Sequence, residues 1–267
     1  MKKEFEIGKL PDDFKKEIHS QIRLFSVVLL ISNDDSSYIS VSGTLCKIGE
    51  HHGILTARHN WDESQVGIKD NKQLMIIVGK GAVSFETDTL SPIIPLVEGK
   101  LYDTGVPDIA FIKIPQKFIS KIESYEKIFY SIDKRLDMDE HDIYGDDGYW
   151  SLFGSPVEKL KTEERSASST IYGTSIPSKS EHDSWDYLEL EILVEEGEMP
   201  EVAKGFSGGG IWKTKFAVDA KLNEFCILDI ILSGVNFYQS NEGSRYNIVG
   251  HGPKSIYSRL FDLVSQT

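Results

Sequence analysis

Cysteine is scarce in this chain. Only Cys46 and Cys226 occur among 267 residues, too few for a disulfide framework or a four-ligand zinc site. Both are expected to be reduced and to behave as small apolar residues. Long hydrophobic runs are missing too. The longest apolar stretch, Phe25 to Ile31, is interrupted by Ser26 and falls well short of the ~20 residues that cross a bilayer. The opening Met1-Lys2-Lys3-Glu4-Phe5-Glu6-Ile7 carries two lysines with no apolar segment behind them, so no secretory leader is expected. A cytoplasmic location without membrane association is the expectation. Positive charge is in deficit: 29 Lys and Arg face 42 Asp and Glu, for a net charge of −13. Such a surface repels phosphate backbones, so nucleic acid is not an expected partner. It serves solubility and tolerates basic peptides. No internal repeat is visible.

What is present is an ordinary globular composition, 40% hydrophobic and 27% charged, long enough for one or two core units. The first twenty residues are polar, and Leu10-Pro11-Asp12-Asp13 predicts the start of a short amphipathic helix around 12–20. β-branched and aromatic runs of strand length follow at 23–31, 38–48, 52–57, 73–79 and 108–114. Between 115 and 140, Phe118, Ile119, Ile122, Tyr125, Ile128, Phe129 and Ile132 recur at helical spacing among lysines and glutamates, which predicts a helix-containing connector. Strand texture returns at 149–153, 169–172, 186–194, 209–213, 225–237 and 245–249, around a Ser/Thr/Pro/Gly-rich stretch at 154–184 that reads as surface loop. A helical period closes the chain at 255–264.

Three short segments carry chemistry. Ile54-Leu55-Thr56-Ala57-Arg58-His59 ends a strand in small residues and presents a histidine. Asp108 opens the alternating strand Ile109-Ala110-Phe111-Ile112. Gly205-Phe206-Ser207-Gly208-Gly209-Gly210 embeds a serine in glycines before another strand. A serine hydroxyl is a weak nucleophile and needs an adjacent base. His59 can take its proton and return it to a leaving amine. Asp108 can hold the other ring nitrogen and stabilise the imidazolium. The N–H groups of Gly205 and Ser207 can bind the oxyanion of a tetrahedral intermediate.

Each segment alone has a plainer reading: a structural histidine, a strand-capping aspartate, a flexible turn. A phosphate cradle is excluded, because no lysine follows the glycines. A nucleophile elbow of the α/β-hydrolase kind does not fit either, since Gly210-Ile211-Trp212 reads as strand rather than helix. Asp103 competes with Asp108 for the carboxylate role. Asp108 is preferred because a strand stands behind it. His51-His52 lacks companion metal ligands, and His251, between two glycines, could line a pocket but reads first as a loop residue.

The three segments in this order resemble the trypsin/chymotrypsin-like serine peptidases, in a bacterial-type, intracellular form. Leu152-Phe153-Gly154-Ser155-Pro156 is similar to the strand end that opens the second barrel of that family. Gly234-Val235-Asn236 is similar to its cleft-lining strand. The resemblance implies an all-β fold of two antiparallel six-stranded β-barrels, with a short N-terminal helix, a helical connector and a C-terminal helix. It implies one peptidase domain over 1–267: an N-terminal barrel about 23–114, the connector about 115–140, and a C-terminal barrel with closing helix about 141–265. The implied triad is His59, Asp108 and Ser207, and the implied cleft includes Gly234, Val235 and Asn236. Glu201, six residues before Ser207, lies where the family shapes its specificity pocket.

Departures matter as well. Arg58 stands where the family has a small residue. Phe206 replaces an acid, Gly210 replaces a common proline, and no cysteine follows His59 closely enough to pair with Cys46 as in the family's disulfide. The expected function is a serine endopeptidase that cuts specific intracellular protein targets, needs no metal or cofactor, and answers to a protein partner or ligand. The alternative is an inactive pseudo-peptidase that binds peptides or proteins in the same cleft, because Phe206 and Gly210 both alter the loop around the serine.

Overall fold

A computed structural model describes residues 10–32, 38–67, 73–78, 81–86, 89–95, 106–145, 147–156, 160–161, 166–167, 169–193, 205–219, 224–242 and 245–267. Helix α1 (Asp12–Phe25) runs into strands β1 (Ser26–Ser32), β2 (Tyr38–Ile48) and β3 (His51–Thr56). Helix α2 (Arg58–Gly67) follows, then β4 (Gln73–Val78), β5 (Gly81–Glu86), β6 (Ser91–Ile93) and β7 (Ala110–Lys113). The connector holds α3 (Gln116–Glu123), β8 (Tyr130–Ser131) and α4 (Glu140–Tyr144). The second half comprises β9 (Tyr149–Gly154), β10 (Leu160–Lys161), β11 (Ser166–Ala167), β12 (Thr170–Thr174), β13 (Ser178–His182), β14 (Trp185–Leu193), β15 (Gly210–Asp219), β16 (Glu224–Glu242) and β17 (Arg245–His251). A π-helical turn (Ser255–Leu260) and α5 (Phe261–Ser265) end the chain.

The strands form two antiparallel systems. The first is ordered β5-β4-β1-β2-β3-β7-β6, with β8 added parallel to β2. Among the described pairings it is an open half-barrel. The second runs β12-β9-β15-β16-β17-β14 and closes through a β12–β14 pairing, so six strands make the ring and β13 hangs outside on β14. The two-barrel expectation is therefore met.

The period of two along each strand explains how the barrels pack. In β1, Val27, Leu29 and Ile31 point into the first barrel with Leu45, Ile54 and Ile112. The alternate residues Val28 and Leu30 point the other way, into a core shared with α1 (Phe14, Ile18, Ile22), Trp212 of the second barrel and the C-terminal Ile256 and Leu260. In β9, Trp150 and Leu152 fill the second barrel while Tyr149 and Phe153 join the shared core. Both faces of these strands are thus dry, and the shared core glues the barrels together.

Three local details differ from the sequence reading. Strand texture at Arg23 yields to helix: α1 continues its Phe14-Ile18-Ile22 stripe to Phe25, and Ser26 ends it by donating its hydroxyl to the Ile22 carbonyl at 3.0 Å. Burial of a four-residue-spaced stripe outweighs the β preference of single residues. The connector is mostly not helical. Its helix α3 stops at Glu123, and Glu126 adopts a φ of 61° that no helix continues through. Finally, His59 sits on an unforeseen helix, α2, that begins directly after β3.

Candidate active site

Asp108 stands two residues before β7, so the sheet ladder, which starts at Ala110 opposite Thr56, leaves its main chain and side chain free for other partners. Asp108 is 2% exposed, and a buried carboxylate needs donors. It receives two from one residue. The His59 backbone N–H donates to Asp108 Oδ1 at 2.9 Å, and His59 Nδ1 lies 2.6 Å from Asp108 Oδ2. An ionised carboxylate only accepts, so Nδ1 carries the proton and Nε2 keeps its lone pair. β3 and β7 are neighbours in the sheet, which is what brings residues 49 apart in the chain together.

Ser207 belongs to the second barrel, on the turn that enters β15. Phe206 beside it is fully buried. Its ring packs 5.4 Å from that of Tyr172 and lies against Gly154. Driving an aromatic ring into the barrel, roughly 2–3 kcal/mol of burial, anchors the turn and leaves Ser207 at the surface of a cleft. At Phe206, which stands in place of an acid, apolar packing holds the turn. Gly205 and Gly208 supply the positive φ values the turn requires, 98° and 87°. Among the described residues, no hydrogen bond uses the N–H groups of Gly205 or Ser207. The Ser207 hydroxyl points towards the Phe237 carbonyl at 3.4 Å, a long and readily exchanged contact.

His59, Asn60, Gly205 and Ser207 line one cleft of about 330 Å³, together with Ile39–Val41 and Phe237–Gln239. Histidine and aspartate thus come from the first barrel, serine from the second, and the cleft lies at their junction.

The comparisons with known proteins bear on this arrangement. No family model matches the chain, and no curated protein does. Solved structures do match. A thermostable serine protease, AL20, from an extremophilic microorganism superposes with a TM-score of 0.50 at 12% identity, over 92% of this chain and 98% of that one. This chain has a trypsin-like serine peptidase fold. A catalytically inactive tobacco etch virus protease in complex with substrate aligns with a TM-score of 0.49 at 17% identity, over 93% of this chain and 87% of that one. The Rv3671c protease of M. tuberculosis, in its active form, aligns at 0.47 and 13% identity, over 92% and 84%.

Within this trypsin-like frame the remaining sequence-predicted residues fall as follows. Gly234, Val235 and Asn236 lie behind the serine turn, not on the cleft. Asn236 donates its N–H to the Gly209 carbonyl at 3.0 Å and accepts the Gly208 N–H at 2.8 Å. The residues of β16 that reach the cleft are the next three, Phe237, Tyr238 and Gln239. The displacement has a simple origin: β16 is 19 residues long and carries register shifts, so a tripeptide match could not fix which part meets the turn. Glu201 and Asp103 lie outside the described residues. His52 packs edge-on against Phe129, its rings' centroids 4.8 Å apart, and among the described residues no group of three His, Cys, Asp or Glu could hold a metal ion. Cys46 is buried and Cys226 exposed, and both are free thiols. Burial pushes the Cys46 thiol far above its usual range. Among the described residues no helix is long and apolar enough to cross a membrane.

Two further residues belong to the site, Asn60 without any local signal and His251 with only its flanking glycines. Asn60 donates its side-chain amide to the Ser207 carbonyl at 2.9 Å. His251, read as a loop residue, ends β17 fully buried and accepts the Asp108 backbone N–H at Nε2, 2.9 Å away. Their partners are 147 and 143 residues distant in the chain, so no local spacing announces them.

Proposed function

We propose that this protein is a serine endopeptidase that hydrolyses protein substrates through His59, Asp108 and Ser207. The observation that carries the reading is the junction itself. A histidine whose Nδ1 is held by a buried carboxylate lines the same cleft as a serine raised on a glycine-flanked turn. Ser207 Oγ attacks the scissile carbonyl while His59 Nε2 takes its proton. Asp108 stabilises the resulting imidazolium and keeps the ring in the tautomer that can act as base. The N–H groups of Gly205 and Ser207 receive the oxyanion, a contribution worth about 10²–10³ in rate per donor. His59 then gives the proton to the leaving amine, and water, activated by the same imidazole, releases the acyl group. The step balances without a metal or cofactor.

The reading includes a cytoplasmic setting, which free Cys46 and Cys226 suit, and control by a partner or ligand acting on the serine turn. Incubation with a complex peptide library, read by mass spectrometry, tests it. Cleavage that vanishes in Ser207→Ala supports it. No cleavage by the wild type under any condition, with the biological effect intact in Ser207→Ala, favours the peptide-binding alternative.

A further inference from the structure

His251 lies outside the reaction just described, yet it touches it from the second barrel. It is fully buried where β17 meets β14 and β16, opposite Tyr187 and Val235. Three aromatic rings enclose it: Phe237 at 4.8 Å, Tyr187 at 5.0 Å and Trp185 at 5.7 Å between centroids. The chain leaves it through Gly252, where any side chain would strike Asp186. Asp186 in turn fastens the turn that follows, accepting from the Ser255 N–H at 2.6 Å and the Lys254 N–H at 3.0 Å. The imidazole therefore has a fixed ring plane in a fixed place.

Among the described residues, the one hydrogen bond of its imidazole goes to the first barrel, at Asp108. The Asp108 N–H precedes the β7 ladder and is buried, and among the described residues its acceptor is His251. To accept, Nε2 must be deprotonated, which leaves the proton on Nδ1. Desolvation supports this neutral form by lowering the imidazole from its ordinary 6.5 to about 4.

We propose that His251 is a positioning residue. Its neutral imidazole, held by the second barrel, fixes the Asp108 main chain and so sets where the Asp108–His59 pair stands relative to Ser207. The proposal rests on the peptidase reading above. It identifies a constraint that acts across the barrel junction, so that carboxylate and imidazole from one barrel are aligned with the hydroxyl of the other.

The test compares His251→Leu, which fills the space but cannot accept, with His251→Gln, whose side-chain carbonyl can. Two quantities are read on the full chain: the fluorophosphonate labelling rate per folded molecule, and the far-downfield NMR resonance of the His59 Nδ1 proton. The Leu variant is expected to label about tenfold more slowly, the loss expected from one buried hydrogen bond, and to shift that resonance, while Gln restores both. A purely structural role would lower the folded fraction of both variants and move neither quantity. A resonance unmoved in His251→Leu, or moved equally in both variants, overturns the proposal. If the Leu variant does not fold, His251→Met, more flexible in the same space, takes its place. If wild type fails to label, the peptidase reading falls, and the resonance comparison alone decides the role of His251.

Discussion

The side-chain amide of Asn60 reaches across the barrel junction to the main-chain carbonyl of Ser207, 2.9 Å away. It closes a ring of hydrogen bonds. Asn60 Nδ2 also donates to Thr56 Oγ1 at 3.1 Å, the Thr56 hydroxyl donates to the Ser42 carbonyl at 2.8 Å, and the Ser42 N–H returns to the Ser207 carbonyl at 3.1 Å. Asn60, the residue after His59, thus holds Ser207. Networks of this kind are stiff when complete and costly when broken.

Asn60→Ala should lower stability by about 1–2 kcal/mol in urea unfolding, because the Ser207 carbonyl keeps its Ser42 donor. Asn60→Asp should cost more, near 3 kcal/mol, since a carboxylate would face an acceptor where the amide now donates. Equal stability of Asn60→Asp and wild type would show that the ring does not hold the turn.

Glycine substitutions separate turn geometry from crowding. At Gly208, φ is 87° and an added Cβ would collide with Thr56 Oγ1 and the Ser42 carbonyl. Gly49 also has positive φ, 56°, but open space around it. Gly49→Ala should cost about 1 kcal/mol, the left-handed strain alone. Gly208→Ala should cost at least about 3 kcal/mol and abolish reaction at Ser207. Thermal melts of the two variants check this, and equal melting temperatures would contradict it.

Acid should destabilise the fold through His251. Burial lowers its pKa to about 4 against an ordinary 6.5, and Asp108 and Asp186, the acids beside it, only partly offset that. The unfolded chain therefore binds a proton in this window that the native state refuses. Stability is full above about pH 6.5 and falls as the pH drops towards 4, by up to about 3 kcal/mol. His19, lowered to about 4 mainly by burial, acts in the same direction. The difference between wild type and His251→Gln isolates His251. Urea midpoints from pH 7 to 4 should fall less in His251→Gln, and superimposable curves would refute the assignment.

The legible part of this fold was whatever a short stretch could state. Ile54 to His59, Asp108 to Ile112 and Gly205 to Gly210 each carry a local pattern, strand end or glycine turn, and each lies at the cleft or beside it. Runs of β-branched and aromatic residues marked β1 and β9 as strands but not which residues face which core, because both faces are apolar. The tripeptide Gly234-Val235-Asn236 was placed three residues short of the cleft, since register in a 19-residue strand is set by its partners. Asn60 carried no local signal of a site role, and His251 only its two flanking glycines. Their roles are single long-range hydrogen bonds, and nothing near them in the chain records the partner.

Everything in the functional account depends on His59 acting as a base on Ser207. Mass spectrometry of the chain after reaction with a fluorophosphonate measures that most directly. One adduct is expected, located on Ser207, absent in Ser207→Ala and formed at least about 10³-fold more slowly in His59→Ala. No adduct on the wild-type chain, or one that persists in Ser207→Ala, would contradict it.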